Sequence, residues 1–163
     1  MSEPTQAAGA DPAAAPQPFF QIEKLYVKDL SLEVPNAPQV FMQAESPQLE
    51  IQVRNEANQF AEGLFEVTVA VTVTARAGEK TVFLVEAVQA GIFTARGIPQ
   101  DDLEPLLAIA CPTIVYPYAR ETVSDLVTRA GFPAVVLQPV SFEQMYLERR
   151  KQAAGEPRIE AAP

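Results

Sequence analysis

Apolar and polar residues alternate with a period of two through the first half of this chain, and that pattern constrains the fold more than any other feature. Within residues 20–34 the even positions Phe20, Ile22, Tyr26, Leu30, Leu32 and Val34 are apolar, broken by Lys24 and Lys28. The odd positions include Gln21, Glu23, Asp29, Ser31 and Glu33. Successive side chains of a strand point to opposite faces, so the segment predicts a strand with one core face and one wet, acidic face. Pro35 and Pro38 break it, since proline removes a ladder donor and biases the preceding residue to extended geometry, and a crossing loop follows. Leu49, Ile51 and Val53 alternate with Gln48, Glu50, Gln52 and Arg54 in a second strand. A third has Phe65, Val67, Val69, Val71 and Val73 alternating with Glu66, Thr68, Thr72 and Thr74. Gly78, within the turn-like run at residues 77–80, leads into a fourth strand over residues 81–90.

That fourth strand departs from strict alternation. Phe83, Val85 and Ala87 are apolar on one face, but so are Val82, Leu84 and Val88 on the other, with Glu86 among them. Two readings stand: burial of both faces within one subunit, or an outward face that meets a partner. Beyond Gly97 the period becomes helical. Residues 98–110 predict a short helix opened by Pro99 and by Asp101 and Asp102, with Pro105 limiting its regularity. A better helix is expected from Pro117, with Ala119, Val123, Leu126, Val127 and Ala130 on one stripe, Arg129 near its end and Gly131 closing it. Ser141 and Gln144 suggest a capping box for a last helix that places Phe142, Met145 and Tyr146 on one side. The fold class is therefore α+β, a four-stranded antiparallel sheet covered by C-terminal helices.

Composition narrows the function. The 163-residue chain has no His, no Trp and a single Cys, which excludes a Cys/His zinc site, a Ser-His-Asp triad and an intramolecular disulfide. Cys111, between Ala110 and Pro112, reads as a small buried apolar side chain, and a lone thiol fits a reducing cytoplasm. A formal net charge of -9 opposes phosphate binding, so nucleic acid is not an expected ligand, and no segment approaches the roughly 20 apolar residues needed to span a bilayer. Residues 1–18, rich in Ala and Pro, and residues 151–163 are expected to be disordered tails around one domain at residues 19–150. The acidic cluster Asp101, Asp102 and Glu104 is explained by the dipole of a helix start, and Arg120 and Glu121 by packing around one. No catalytic group, metal site or cofactor is expected.

The run CPTIVYPYARE at residues 111–121 resembles the signature of the SecB family of bacterial protein-export chaperones. Three further stretches agree with that family in order and spacing: FQIEKLYVKDLSLEVPNAPQVF (20–41), VTVTARAGEKTVFLVEAVQAGIF (71–93) and GFPAVVLQPVSF (131–142). The resemblance implies a SecB-like fold and a cytoplasmic homotetramer, a dimer of dimers. Such a protein holds unfolded precursor proteins without ATP and passes them to the SecA translocation ATPase. It implies that Asp29, Glu33, Leu84 and Glu86 form the sheet surface that docks SecA, whose tail supplies a zinc-bearing basic element. It also implies that Val85, Ala87 and Gln89, on the opposite face, help hold the oligomer together. Val40 and Phe41 after the crossing loop, with Phe142, Met145 and Tyr146 on the last helix, lie near segments that the family uses for a client-peptide groove. A SecB-like chaperone dedicated to one toxin–antitoxin pair, and a carboxylate-based enzyme on an α+β scaffold, are the alternatives.

Overall fold

The structure, a computed structural model, describes residues 15–155. Strands β1 (Phe19–Glu33), β2 (Gln48–Ala61), β3 (Leu64–Ala77) and β4 (Lys80–Arg96) form one antiparallel sheet in the order β1-β4-β3-β2. Tight turns join β2 to β3 and β3 to β4, with Gly63 and Gly78 at φ 67° and 60°, a region other residues rarely enter. β1 is tied to β2 only through the crossing segment, which carries a short 3-10 turn (Gln39–Met42), so β1 pairs instead with the free edge of β4. The arrangement is a Greek key. The expected four-stranded antiparallel sheet with covering helices is what the chain forms.

β3 follows its alternation closely: Phe65, Val67, Val69, Val71 and Val73 are buried, and the residues between them are half-exposed on an open face. β1 does not keep the single parity expected of it. Register shifts between Ile22 and Lys24 and between Val27 and Asp29 each reverse the alternation. Ile22, Leu25, Val27 and Leu30 consequently stand opposite Phe93, Gly91, Gln89 and Ala87 on the helix-covered face. Lys24, Tyr26 and Asp29 stand opposite Ile92, Ala90 and Val88 on the open face. Tyr26, expected among the core residues, thus lies on the open face, where its hydroxyl donates to Glu66.

The helical half is more continuous than its prolines suggest. Helix α1 (Gln100–Pro105) passes through a π-helical turn (Leu106–Ala110) into α2 (Cys111–Arg129), so the main helix begins at Cys111 and carries Pro117 inside it rather than at its start. Proline 117 deprives the Thr113 carbonyl of its donor, and Thr113 is exposed, so water can serve it. Pro112 has no amide to continue the π-helical turn, and the Asn55 side-chain amide donates to the Ala108 carbonyl there at 3.5 Å. Val115, Ala119, Val123 and Val127 of α2 are fully buried against Val69, Val71, Val73, Val85 and Ala87 in one core. Cys111 is also in that core, and burial pushes its thiol up to about 12. Gly131, at φ 90°, closes α2 with the Gly131 and Phe132 amides returning to the carbonyls of Thr128 and Val127. Helix α3 (Phe142–Gly155) starts with the Gln144 amide donating to Ser141 Oγ at 3.2 Å, one half of the expected capping box. It continues past the domain boundary expected at residue 150. The remaining tail residues, 1–14 and 156–163, lie outside the described residues.

Candidate functional site

Two surfaces stand out, and they lie on different parts of the sheet. The first is an apolar groove of about 500 Å³ between the crossing segment, the edge strand β2 and the extended link that follows Gly131. Leu49 and Ile51 point to the helix-covered side, but β2 is an edge strand that α2 does not reach at this end, leaving them 45% and 44% exposed. Val136, on the link, is 69% exposed. Phe132 lies between Phe41 and Phe83, with ring centroids at 5.1 Å and 5.0 Å, and this row of three rings forms one end of the groove. A Cβ on Gly131 would come within 3.3 Å of the Phe41 ring, so the glycine both ends α2 and makes room for Phe41. The Asn36 amide donates to the Thr81 carbonyl at 2.8 Å and fixes the crossing segment over the start of β4.

Of the residues expected near a client groove, Val40 and Phe41 line this apolar groove. Phe142 and Tyr146 do not: they are anchors of α3, 2% and 8% exposed, packed inside the chain or held by polar contacts. Tyr116 meets Phe142 edge-on at 5.8 Å, and Tyr146 donates to Glu104 Oε1 at 3.1 Å. Met145 is half-buried and lines a separate, smaller cleft beside Val53, Asn55 and Arg149. Leu49, Ile51, Phe132 and Val136 also line the apolar groove and were not singled out from the sequence. Leu49 and Ile51 carry a core-facing parity, and only the strand order reveals that their end of the sheet is uncovered.

The second surface is the open face of the sheet. Residues paired directly across an antiparallel ladder share a face, so the register gives rows running across all four strands. One row is Glu33, Leu84, Thr74 and Glu50; the next is Ser31, Glu86, Thr72 and Gln52; a third is Asp29, Val88, Ala70 and Arg54. The register brings Asp29, Glu33, Leu84 and Glu86 together on this face, uncovered by any helix, and the three acids are exposed while Leu84 is half-exposed. The partner-facing reading of β4 therefore fits its Leu84, Glu86 and Val88 side, whereas Val82, assigned to the same side, is buried near the mouth of the groove. Further along, Glu66 accepts from both Lys28 and Tyr26, which hold its carboxyl below the usual range. Burial and the neighbouring Glu66 together raise the Tyr26 hydroxyl to about 12.

Val85 and Ala87 lie on the other side of β4, fully buried in the core beneath the helices, and so have no surface of their own for a second subunit. Gln89 is 5% exposed and its Oε1 has no partner among the described residues. An apolar stripe is instead exposed on β1, where Phe20, Ile22, Val27 and Leu30 are between 37% and 47% exposed along a sheet edge that no other described strand pairs. Among the described residues there is no cluster of Cys, Asp or Glu able to hold a metal ion, and no helix long and apolar enough to cross a membrane.

The family profile described as preprotein translocase subunit SecB matches residues 13–153. A protein-export protein SecB of Dechloromonas aromatica is 59% identical over 141 residues, covering 86% of this chain and 93% of its own length. Its counterpart in Aromatoleum aromaticum is 61% identical over 135 residues, covering 82% and 85%. Among solved structures, a SecB-like chaperone of Mycobacterium tuberculosis, in complex with a peptide from the HigA1 antitoxin, superposes with a TM-score of 0.61 at 20% identity. That match covers 74% of this chain and 90% of the other, and it shows a common fold.

Proposed function

The chain belongs to the SecB family of protein-export chaperones, and from that membership we propose that it binds unfolded precursor proteins in the groove between residues 36–51 and 131–136 and delivers them to SecA. The groove is the observation that carries this reading. Its aromatic row and its exposed aliphatic rim offer mainly apolar contact, with Gln43 and Glu45 as the polar side chains of the lining, which suits clients that share exposed apolar segments but no sequence. Holding such a segment uses no chemistry that needs a nucleotide. The acids gathered by the register on the open face supply a separate docking surface for a basic element of SecA, so a client and SecA need not compete for one site.

The assembly proposed is a cytoplasmic homotetramer. Its support is the apolar stripe on β1, which in a lone chain would leave large side chains in water along an unpaired edge. Val85 and Ala87 enter this assembly by supporting α2 from beneath, while Gln89 stands opposite Val27 of the edge strand. General export is favoured over a dedicated toxin–antitoxin role because the relatives above half identity are named for protein export, while the antitoxin-bound neighbour shares the fold at 20% identity. The test is suppression of aggregation of a urea-unfolded precursor on dilution, without nucleotide, with the native mass measured in parallel. Protection near stoichiometry is expected; no protection at any ratio, or protection only with ATP, would contradict the reading.

A further inference from the structure

The open face is not uniformly acidic. The row that begins at Asp29 on β1 ends at Arg54 on β2, with only Val88 and Ala70 between them. Those side chains, with Thr68, floor an open trough of about 200 Å³ whose rims carry Lys28 on one side and Arg54 and Glu56 on the other. The charge of Lys28 is met by Glu66. Arg54 is exposed and forms no ion pair among the described residues, although Glu56 follows two positions along the same face. Three interstrand spacings put Arg54 about 14 Å from Asp29, too far for either to satisfy the other. A guanidinium beside a trough with a low floor has room for a planar carboxylate to pair with it through two parallel hydrogen bonds.

We infer that the partner segment docking on this face is bipolar: basic where it covers Asp29, Glu33 and Glu86, and carrying a carboxylate that enters the trough and pairs with Arg54. The inference rests on the reading of this face as the SecA contact. Its consequence is orientation, because a segment laid the opposite way would set its carboxylate against the acids and its basic groups against Arg54. Arg54 is then a specificity-determining residue, the one that fixes direction.

The affinity of SecA for the wild-type chain, Asp29→Lys, Arg54→Ala and Arg54→Glu, measured by titration calorimetry at low salt, tests this. All three substitutions lie at exposed positions, and circular dichroism confirms folding. Asp29→Lys should weaken binding tenfold or more, Arg54→Ala several-fold, and Arg54→Glu more than Arg54→Ala. A partner that is basic throughout would be repelled by Arg54, so either Arg54 variant would then bind more tightly. Tighter or unchanged binding by the Arg54 variants, with Asp29→Lys weakened, overturns the bipolar partner and leaves the docking face standing. Unchanged binding by Asp29→Lys overturns the docking face itself and the inference with it.

Discussion

Lys24 and Lys28 look like blemishes in an otherwise apolar series, yet each marks a place where β1 changes parity. A bulge adds one residue to one strand, so the series beyond it moves to the other face, and a lysine at a nominally inward position is the visible trace. Sequence alone does not separate this from a snorkelling lysine, which is why Tyr26 was expected inward. Its true setting makes a prediction. Glu66, held below its ordinary value by Lys28 and Tyr26, contributes stability that is present above about pH 4.5 and is lost as the pH falls through its lowered folded-state value. The stability difference between wild type and Glu66→Gln, followed by urea unfolding, should therefore shrink on acidification from pH 6 toward pH 3; a constant difference would show that the charge is not what Glu66 contributes. Cys111 gives a second residue-scale test. With its thiol raised to about 12 and no exposure, it should stay unmodified by an alkylating reagent at pH 8 until the chain is unfolded.

At the scale of elements, the strands were legible because one face of a sheet is buried and the alternation has to record it. The helices were less so. Pro117 read as a helix start, whereas the structure runs α1 and α2 together: the Thr113 carbonyl that Pro117 leaves without a donor belongs to an exposed residue, and the Asn55 side-chain amide meets the Ala108 carbonyl at the π-helical turn. Asn55 is therefore a joint between elements. It is 7% exposed, its amide reaches Ala108 and its oxygen accepts from Arg149 of α3 at 2.6 Å. No local pattern in β2 announces that role, since both contacts come from residues far along the chain. Asn55→Ala should cost about 1–3 kcal/mol, the penalty for stranding buried polar partners. It should also accelerate amide hydrogen exchange in α3 more than in β3. Equal acceleration everywhere would mean that Asn55 supports the whole core rather than the docking of α3.

For the whole molecule, a single chain buries one face of its sheet and leaves three surfaces to others: the β1 edge, the acidic open face and the groove. The edge predicts assembly, and Ile22→Lys, at a position 41% exposed in the lone chain, should reduce the native mass seen by light scattering while leaving the fold intact. An unchanged mass would place the subunit contact elsewhere. The composition narrowed the function by excluding a Ser-His-Asp triad and a Cys/His zinc site, and the resemblance to the family's sequence pattern pointed to the two kinds of partner. The position of the groove was only half legible, because it depends on which end of β2 the helices leave uncovered. Its role as the client site is the centre of the account. The most direct test is the affinity of an unfolded precursor for Ile51→Asp and Val136→Asp, compared with Phe60→Asp, which charges an apolar position outside the groove whose exposure lies between those of the two. The account predicts at least a tenfold loss for both groove variants, with unchanged thermal stability and mass, and near wild-type affinity for Phe60→Asp; wild-type affinity in the groove variants, or equal loss in all three, would contradict it.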